Sequence, residues 1–190
     1  MNLGGREPDD AELLTSRLVL RRPEPEDTGA IFAIHSDPRA CAHNPSDTLT
    51  TPEDAGRLFG RWDGHWRRFG FGYWVIRWRD SVAPVGFCGV KVMHLEDQRV
   101  LNLFYRLDPE AWGNGVASEA AAAVVRWASR RHPEYPLIAR VRPQNAASHR
   151  VAIRAGLVRA EQLDQPGEDG LDWIYVAPSS ARTRPPAQTG

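Results

Sequence analysis

The feature that most constrains the fold is a strand-like run over residues 100–107, then Trp112-Gly113-Asn114-Gly115, then an alanine-rich helical run ending near Arg131. Glycine accepts left-handed backbone that other residues resist, so two glycines one residue apart let main-chain N–H groups crowd around one point. The helix that starts beside them aims its free first-turn amides and the positive end of its dipole at that same point. A strand, a glycine turn and a helix start in this order predict a phosphate cradle on an α/β fold. The identity of the phosphate ligand then decides the function.

At 190 residues the chain is long enough for one domain that buries roughly 70% of its unfolded surface. Lys+Arg and Asp+Glu number 24 each, so no net field draws the protein to nucleic acid or to an anionic membrane. Lys91 is the only lysine, a bias that reads as genome composition rather than function. No apolar run approaches the roughly 18–20 residues that cross a bilayer. Residues 1–12 lack the basic start and apolar centre of a signal peptide and are expected to be a flexible lead. Residues 178–190, rich in Pro, Ser, Thr and Ala, are expected to be a disordered tail, which leaves 13–177 as the domain. Cys41 and Cys88 match no metal spacing and no disulfide framework, which predicts no metal site and a reducing, cytoplasmic location.

Residues 18–20 predict a short strand, and the prolines and acids of Pro23-Glu24-Pro25-Glu26-Asp27 a helix start leading through Ile31, Phe32 and Ile34. Residues 37–50 read as a loop. Thr51 caps a second helix, on which Leu58, Trp62, Trp66 and Phe69 recur at core-facing spacing. Strands over 73–78 and 85–93 form a hairpin about Arg79-Asp80-Ser81, followed by the strand over 100–107. Beyond the glycine turn and its helix come a strand over 137–141 and a helix over 145–155 stopped by Gly156. Closing strands are expected over 157–163 and 171–176. The order β-α-α-β-β-β-α-β-α-β-β predicts an α/β composition of the α+β kind, with an antiparallel middle that a doubly wound parallel sheet lacks.

Three phosphate ligands compete for the turn. A Walker loop ends in Gly-Lys-Ser/Thr, whereas Val116-Ala117-Ser118 follow here with no lysine for the terminal phosphates. A dinucleotide fingerprint needs a third small residue in register and a later strand ending in an acid, but Val141 is followed by Arg142. The third reading gains from a second segment, Arg140 to Arg150, with Asn145, Ser148 and Arg150 in the pattern N-x-x-S-x-R and a terminal Gly156. The loop itself fits the pattern Q/R-x-x-G-x-G/A at Gly115 and Ala117, with Trp112 in its first place. The opening Thr15-Ser16-Arg17-Leu18-Val19-Leu20-Arg21 and the later Asp37-Pro38 complete the set. With these motifs in this order over residues 13–177, the chain resembles the GNAT acyltransferase superfamily, in its ribosomal-protein N-terminal acetyltransferase (RimJ/RimL-type) branch.

The resemblance implies a mixed, mostly antiparallel central sheet flanked by helices, with two splayed strands that hold CoA. It implies acetyl-CoA as cofactor, its pyrophosphate on the main chain of Trp112, Gly113, Asn114, Gly115, Val116, Ala117 and Ser118. The pantetheine arm would lie like an added strand between residues 101–107 and 137–141, passing Leu103 and Tyr105. Asn145 would contact that arm, and Ser148 would protonate the departing thiolate. The implied reaction is direct attack of a neutral amine on the thioester in a ternary complex. The acceptor would be a protein N-terminal α-amine or a small-molecule amine, and a homodimer is allowed by the family.

Asn102 stands where relatives often carry a glutamate, which removes a carboxylate base from that strand. No obvious buried carboxylate stands out in the right segment, which favours an α-amine or water-relayed deprotonation. His35, Asp37, His43, His94 and His149 are candidates only, each histidine reading by itself as a surface residue. Acceptor specificity is expected in residues 37–50, 62–69 and 71–74. The alternative to an enzyme is a CoA-binding module of the same fold that has lost its chemistry.

Overall fold

The computed structural model describes residues 12–178; the expected flexible lead and disordered tail fall, but for their inner edges, outside the described residues. The chain opens with β1 (Glu12–Leu14) and β2 (Leu18–Arg21), followed by helices α1 (Thr28–Ser36), α2 (Pro38–Cys41) and α3 (Pro52–Phe69). A meander of β3 (Tyr73–Trp78), β4 (Pro84–Leu95) and β5 (Gln98–Leu107) leads through the glycine turn into α4 (Val116–Arg131). Then come β6 (Leu137–Val141), α5 (Ala146–Arg154), β7 (Val158–Arg159), β8 (Gln165–Gly167) and β9 (Gly170–Val176).

The sheet order is β1-β2-β3-β4-β5-β6-β9-β7, with β8 pairing beside β9. Every pair is antiparallel except β5 with β6, whose crossover is supplied by α4. That parallel pairing is short. It runs from Leu101–Leu137 to Leu103–Ala139 and then stops, although β5 continues to Leu107. Beyond Ala139, β6 keeps only its pairing with β9, which runs from Ile138–Val176 to Val141–Trp173. The two strands therefore fork, and the main-chain groups of β5 that face the fork lose their ladder partners.

Strand alternation divides the molecule into two layers. Leu101, Leu103 and Leu107 of β5 join the larger core, under the buried Val116, Ala120, Ala121, Val124 and Ala128 of α4. The alanines let this helix lie close on the sheet. On the opposite face Phe104 packs with Tyr73, Val75, Phe87, Ile31 and Trp62, beneath α1 and α3. The aromatic stripe of α3 is core-facing as expected, with Trp62 and Trp66 both buried. This helix is set by Thr51 Oγ1, which accepts from Asp54 N at 3.3 Å, and ends at Gly70 in the left-handed conformation.

Three expectations need correction. Residues 37–50 are not an open loop: Asp37 Oδ1 accepts from Arg39 N at 2.7 Å and starts α2, and a 3-10 turn follows at Pro45–Asp47. Residues 157–163 do not form one strand, since β7 is two residues long and gives way to a 3-10 turn at Glu161–Leu163. There Asp164 Oδ1 accepts from Ile174 N at 3.0 Å, so a side chain takes the place of a ladder bond. Finally, β1 and β8, three residues each, escape a periodicity that needs longer runs.

Candidate active site

One cleft of about 1230 Å³ runs along the fork and is lined from both faces of the sheet. On the α4 side it begins at the glycine turn, where Gly113 and Gly115 have φ of +79° and +75°. A side chain at either would be held in a left-handed backbone at roughly 1–2 kcal/mol. Asn114 Nδ2 donates to the carbonyls of Ala111 (3.4 Å) and Trp112 (3.2 Å), so its side chain braces the turn from within. The first intrahelical bond of α4 runs from Glu119 N to Gly115 O at 3.0 Å, and the preceding amides of Val116, Ala117 and Ser118 have no intrahelical acceptor. Trp112 is half exposed at the cleft's rim.

The opening Thr15-Ser16-Arg17 motif has its explanation here. Glu119, in the first turn of α4, accepts from Thr15 Oγ1 (2.6 Å), Ser16 Oγ (3.1 Å), Arg17 N (3.1 Å) and Arg17 Nε (2.7 Å). Burial works to raise the Glu119 pKa, but the bonds from Thr15, Arg17 and Ser16 together outweigh it and bring the carboxyl down to about 2. The turn between β1 and β2 is thus bolted to the start of α4. Arg17 Nη2 also stands 3.5 Å from where a Cβ on Gly115 would sit.

The second motif closes the same side. Asn145 caps α5 and its Oδ1 accepts from Ser148 N at 3.0 Å. Tyr105, beyond the fork on β5, donates its hydroxyl to Ser148 O at 3.1 Å. Burial first of all raises the Tyr105 pKa far above the ordinary tyrosine value, so it remains a donor. Leu103, Tyr105, Val116, Ala117, Asn145 and Ser148 all line the cleft, and Ser148 is half-buried rather than solvated. Asn145 is both a helix cap and a cleft residue.

On the α1–α3 side the lining is made of aromatic and charged side chains. His35 is 2% exposed, against the surface reading, and its ring lies among Trp62, Phe87 and Phe104. Its Nδ1–H donates to Ile31 O at 3.0 Å. Burial, then the Arg106 guanidinium, lowers its pKa to about 3, so it is neutral near pH 7. His149 is half-buried too: Nε2–H donates to Pro143 O (3.0 Å), and Nδ1 accepts from the Tyr175 hydroxyl (2.9 Å). His43 is partly covered and lines the cleft, Asp37 is engaged in capping α2, and His94 is exposed away from it.

Sequence reasoning singled out no buried carboxylate for the site, but the cleft lining includes one, Asp172, 3% exposed on β9. Its Oδ1 pairs with Arg142 Nη1 at 3.0 Å, and Arg140 Nη1 lies 3.5 Å from Oδ2. Burial raises its pKa against the pull of the two arginines. An Asp in a Gly-Leu-Asp-Trp strand carries no motif, and only the pairing of β6 with β9 brings it to the fork. Asn102 Oδ1, Arg106 Nη1, Arg142 Nε and Asp172 Oδ2 are buried without a hydrogen-bond partner, and all four residues line the cleft. Natural folds leave few such atoms, and their gathering around one cavity marks where polar chemistry is concentrated.

A sequence profile described as acetyltransferase (GNAT) domain matches residues 17–158. The chain belongs to the GNAT acetyltransferase family. Among its relatives, the uncharacterized N-acetyltransferase YoaA of Bacillus subtilis (strain 168) is 27% identical over 153 residues, covering 80% of this chain and 86% of that protein. The crystal structure of an acetyltransferase from Agrobacterium tumefaciens str. C58 aligns with TM-score 0.74 and 27% identity over 93% of this chain and 97% of that one. RimL, a ribosomal L7/L12 α-N-protein acetyltransferase solved with coenzyme A, shares the fold with TM-score 0.69 and 18% identity over 86% and 95% of the two chains.

This acetyltransferase has acetyl-CoA as its cofactor, and the architecture fits it. The fork offers an extended arm free main-chain groups, the glycine turn leaves room for a bulky anion, and the helix start adds amides directed at it. No helix among the described residues is long and apolar enough to cross a membrane, and no cluster there could hold a metal ion.

Proposed function

We propose that this protein transfers the acetyl group of acetyl-CoA to a primary amine by direct attack in a ternary complex. The observation that carries this is a continuous cleft that passes the β5–β6 fork and is lined from both faces of the sheet. A donor arm laid along one face and an amine admitted from the other would meet at Leu103–Ala139, without an intermediate on the enzyme. Cys41 and Cys88 are buried and free, and burial drives the Cys88 thiol far above its ordinary pKa, so neither serves as a nucleophile. Their free state also suits a reducing, cytoplasmic setting.

In this reading residues 112–118 hold the pyrophosphate with main-chain amides, each such helix-end contact contributing about 0.3–1 kcal/mol, more when partly buried. Asn145 and the fork-facing groups of β5 at Leu103 and Tyr105 hold the arm, and the Ser148 hydroxyl supplies a proton to the leaving sulfur. Residues 13–177 form the transferase domain.

The acceptor side favours an α-amine. A lysine-like amine must shed its proton against about three pK units at neutral pH, an α-amine against about one. Asn102 cannot take that proton, His35 at about 3 is too weak a base, and Asp172 is engaged by arginines. An acceptor already close to neutral needs least help, which agrees with the ribosomal-protein N-terminal acetyltransferase branch. Asn102 in place of a carboxylate on β5 is the one observation that favours a silent CoA-binding module. A panel of α-amines, alkylamines and peptides with acetyl-CoA, followed by release of CoA thiol, decides between them. Turnover of α-amines supports the transferase; CoA binding with no turnover on any amine supports the module.

A further inference from the structure

Lys91 has no part in the reading above, yet it is the only lysine in the protein. It lies on β4 directly across from Asn102 of β5, and Asn102 is opposite Ile138 of β6, one residue before the fork at Leu103–Ala139. Cross-strand partners project to the same face, so Lys91 rises beside the fork on the acceptor side, where it lines the cleft. Neighbouring strands are about 4.8 Å apart, and the four-carbon lysine stem spans more than that. Its backbone is held in place, because the next amide, Val92 N, donates to His65 Nε2 at 3.1 Å.

Among the described residues the Lys91 ammonium makes no hydrogen bond or ion pair, and the residue stays accessible. The charged groups around it are Arg140 on β6 and Arg61 on α3, opposed by Asp47 and Glu168. Burial of the stem and then Arg140 lower its pKa below the ordinary lysine value, which enlarges the neutral, nucleophilic fraction. Every arginine nearby stays protonated and is no acceptor.

We propose that Lys91 is a self-acetylation site, modified when acetyl-CoA is bound and the acceptor place is empty. The Nζ lone pair attacks the thioester carbonyl carbon, a C–N bond forms, and the C–S bond breaks with its electron pair leaving on sulfur. One N–H proton passes to the thiolate through water, giving Nε-acetyl-Lys91 and CoA thiol. The neutral amide then occupies the acceptor mouth between Arg61 and Arg140, so acylation would restrain the enzyme when acceptor is scarce. This inference rests on the transfer reading.

The test is intact-mass measurement of the full chain incubated with acetyl-CoA alone, followed by peptide mapping. Addition of a single acetyl group at Lys91 is expected, blocking tryptic cleavage there. It should be absent from Lys91→Arg, and fall to the background rate in Gly115→Glu and in the urea-unfolded chain. No acetylation, label confined to the α-amine, or equal labelling of Lys91 in the unfolded chain would overturn the proposal. The free-amine panel separates the two failures: amine turnover with Lys91 unlabelled removes this inference alone, whereas no transfer to any amine removes the transfer reading.

Discussion

The two sides of the forked sheet are built on different principles. On the α4 side the cleft is built chiefly on main chain, namely left-handed glycines, a helix start and the free edge of β5, with the Asn145 side chain capping α5. On the α1–α3 side it is made of side chains brought together from α1, α3, β4, β5, β6 and β9. A main-chain site tolerates most substitutions and fails when backbone geometry or space is lost. A side-chain site fails when one charge or one ring is changed. A cofactor that is the same in every reaction suits the first kind, and an acceptor that must be told from others suits the second.

The largest effect should come from closing the main-chain side. Gly115→Glu places a side chain in left-handed backbone and a negative charge at the proposed pyrophosphate, and should weaken CoA binding by about 100-fold or more by calorimetry. Unchanged affinity would sink the assignment of the loop. On the other side, Asp172→Ala strands the buried Arg142 and should cost about 3–5 kcal/mol in urea unfolding. The double change Arg142→Met with Asp172→Leu should recover most of that loss; if it does not, the pair is not the cause.

Ser148→Ala should lower kcat by about tenfold with little change in CoA affinity, a modest factor because a thiolate is already a fair leaving group. Equal loss in both constants would make Ser148 a packing residue.

The smallest effects are pH windows that differ between the sides. His35 titrates at about 3 in the folded protein against 6.5 for an unperturbed histidine, so the unfolded chain takes up the proton first. Stability therefore falls as pH drops from about 6.5 toward 3, and His35→Phe should flatten that limb. Glu119 titrates at about 2 against 4.5 for an unperturbed glutamate, so its contribution is present above pH 4.5 and is lost as pH falls toward 2. Glu119→Gln should reduce stability at neutral pH and remove the lower limb only. If both variants flatten one common window, the two sides do not titrate independently.

The legibility of the two sides follows the same division. Trp112 to Ser118 and Asn145 to Ser148 are contiguous stretches whose proposed roles rest on local backbone geometry, and such geometry is encoded by neighbours in sequence. Thr15-Ser16-Arg17 is legible only as a motif, because its partner Glu119 lies more than a hundred positions away. The surface reading of His35 fails because its burial depends on Trp62, Phe87 and Phe104, which come from other elements. Nothing near Asp172 in the chain marks it; Arg142 becomes its neighbour only through the antiparallel pairing of β6 with β9.

By itself the sequence determined the order of the longer elements, the glycine turn, the Thr51 cap and the Gly156 stop, and hence the family, since each depends on bonds within a few residues. Tertiary structure alone decided where β5 and β6 part, which face each strand residue takes into the cleft, and which charges meet there. Those depend on register between distant strands, a single shift of which would send Lys91, Asn102, Arg106 and Asp172 to the opposite face.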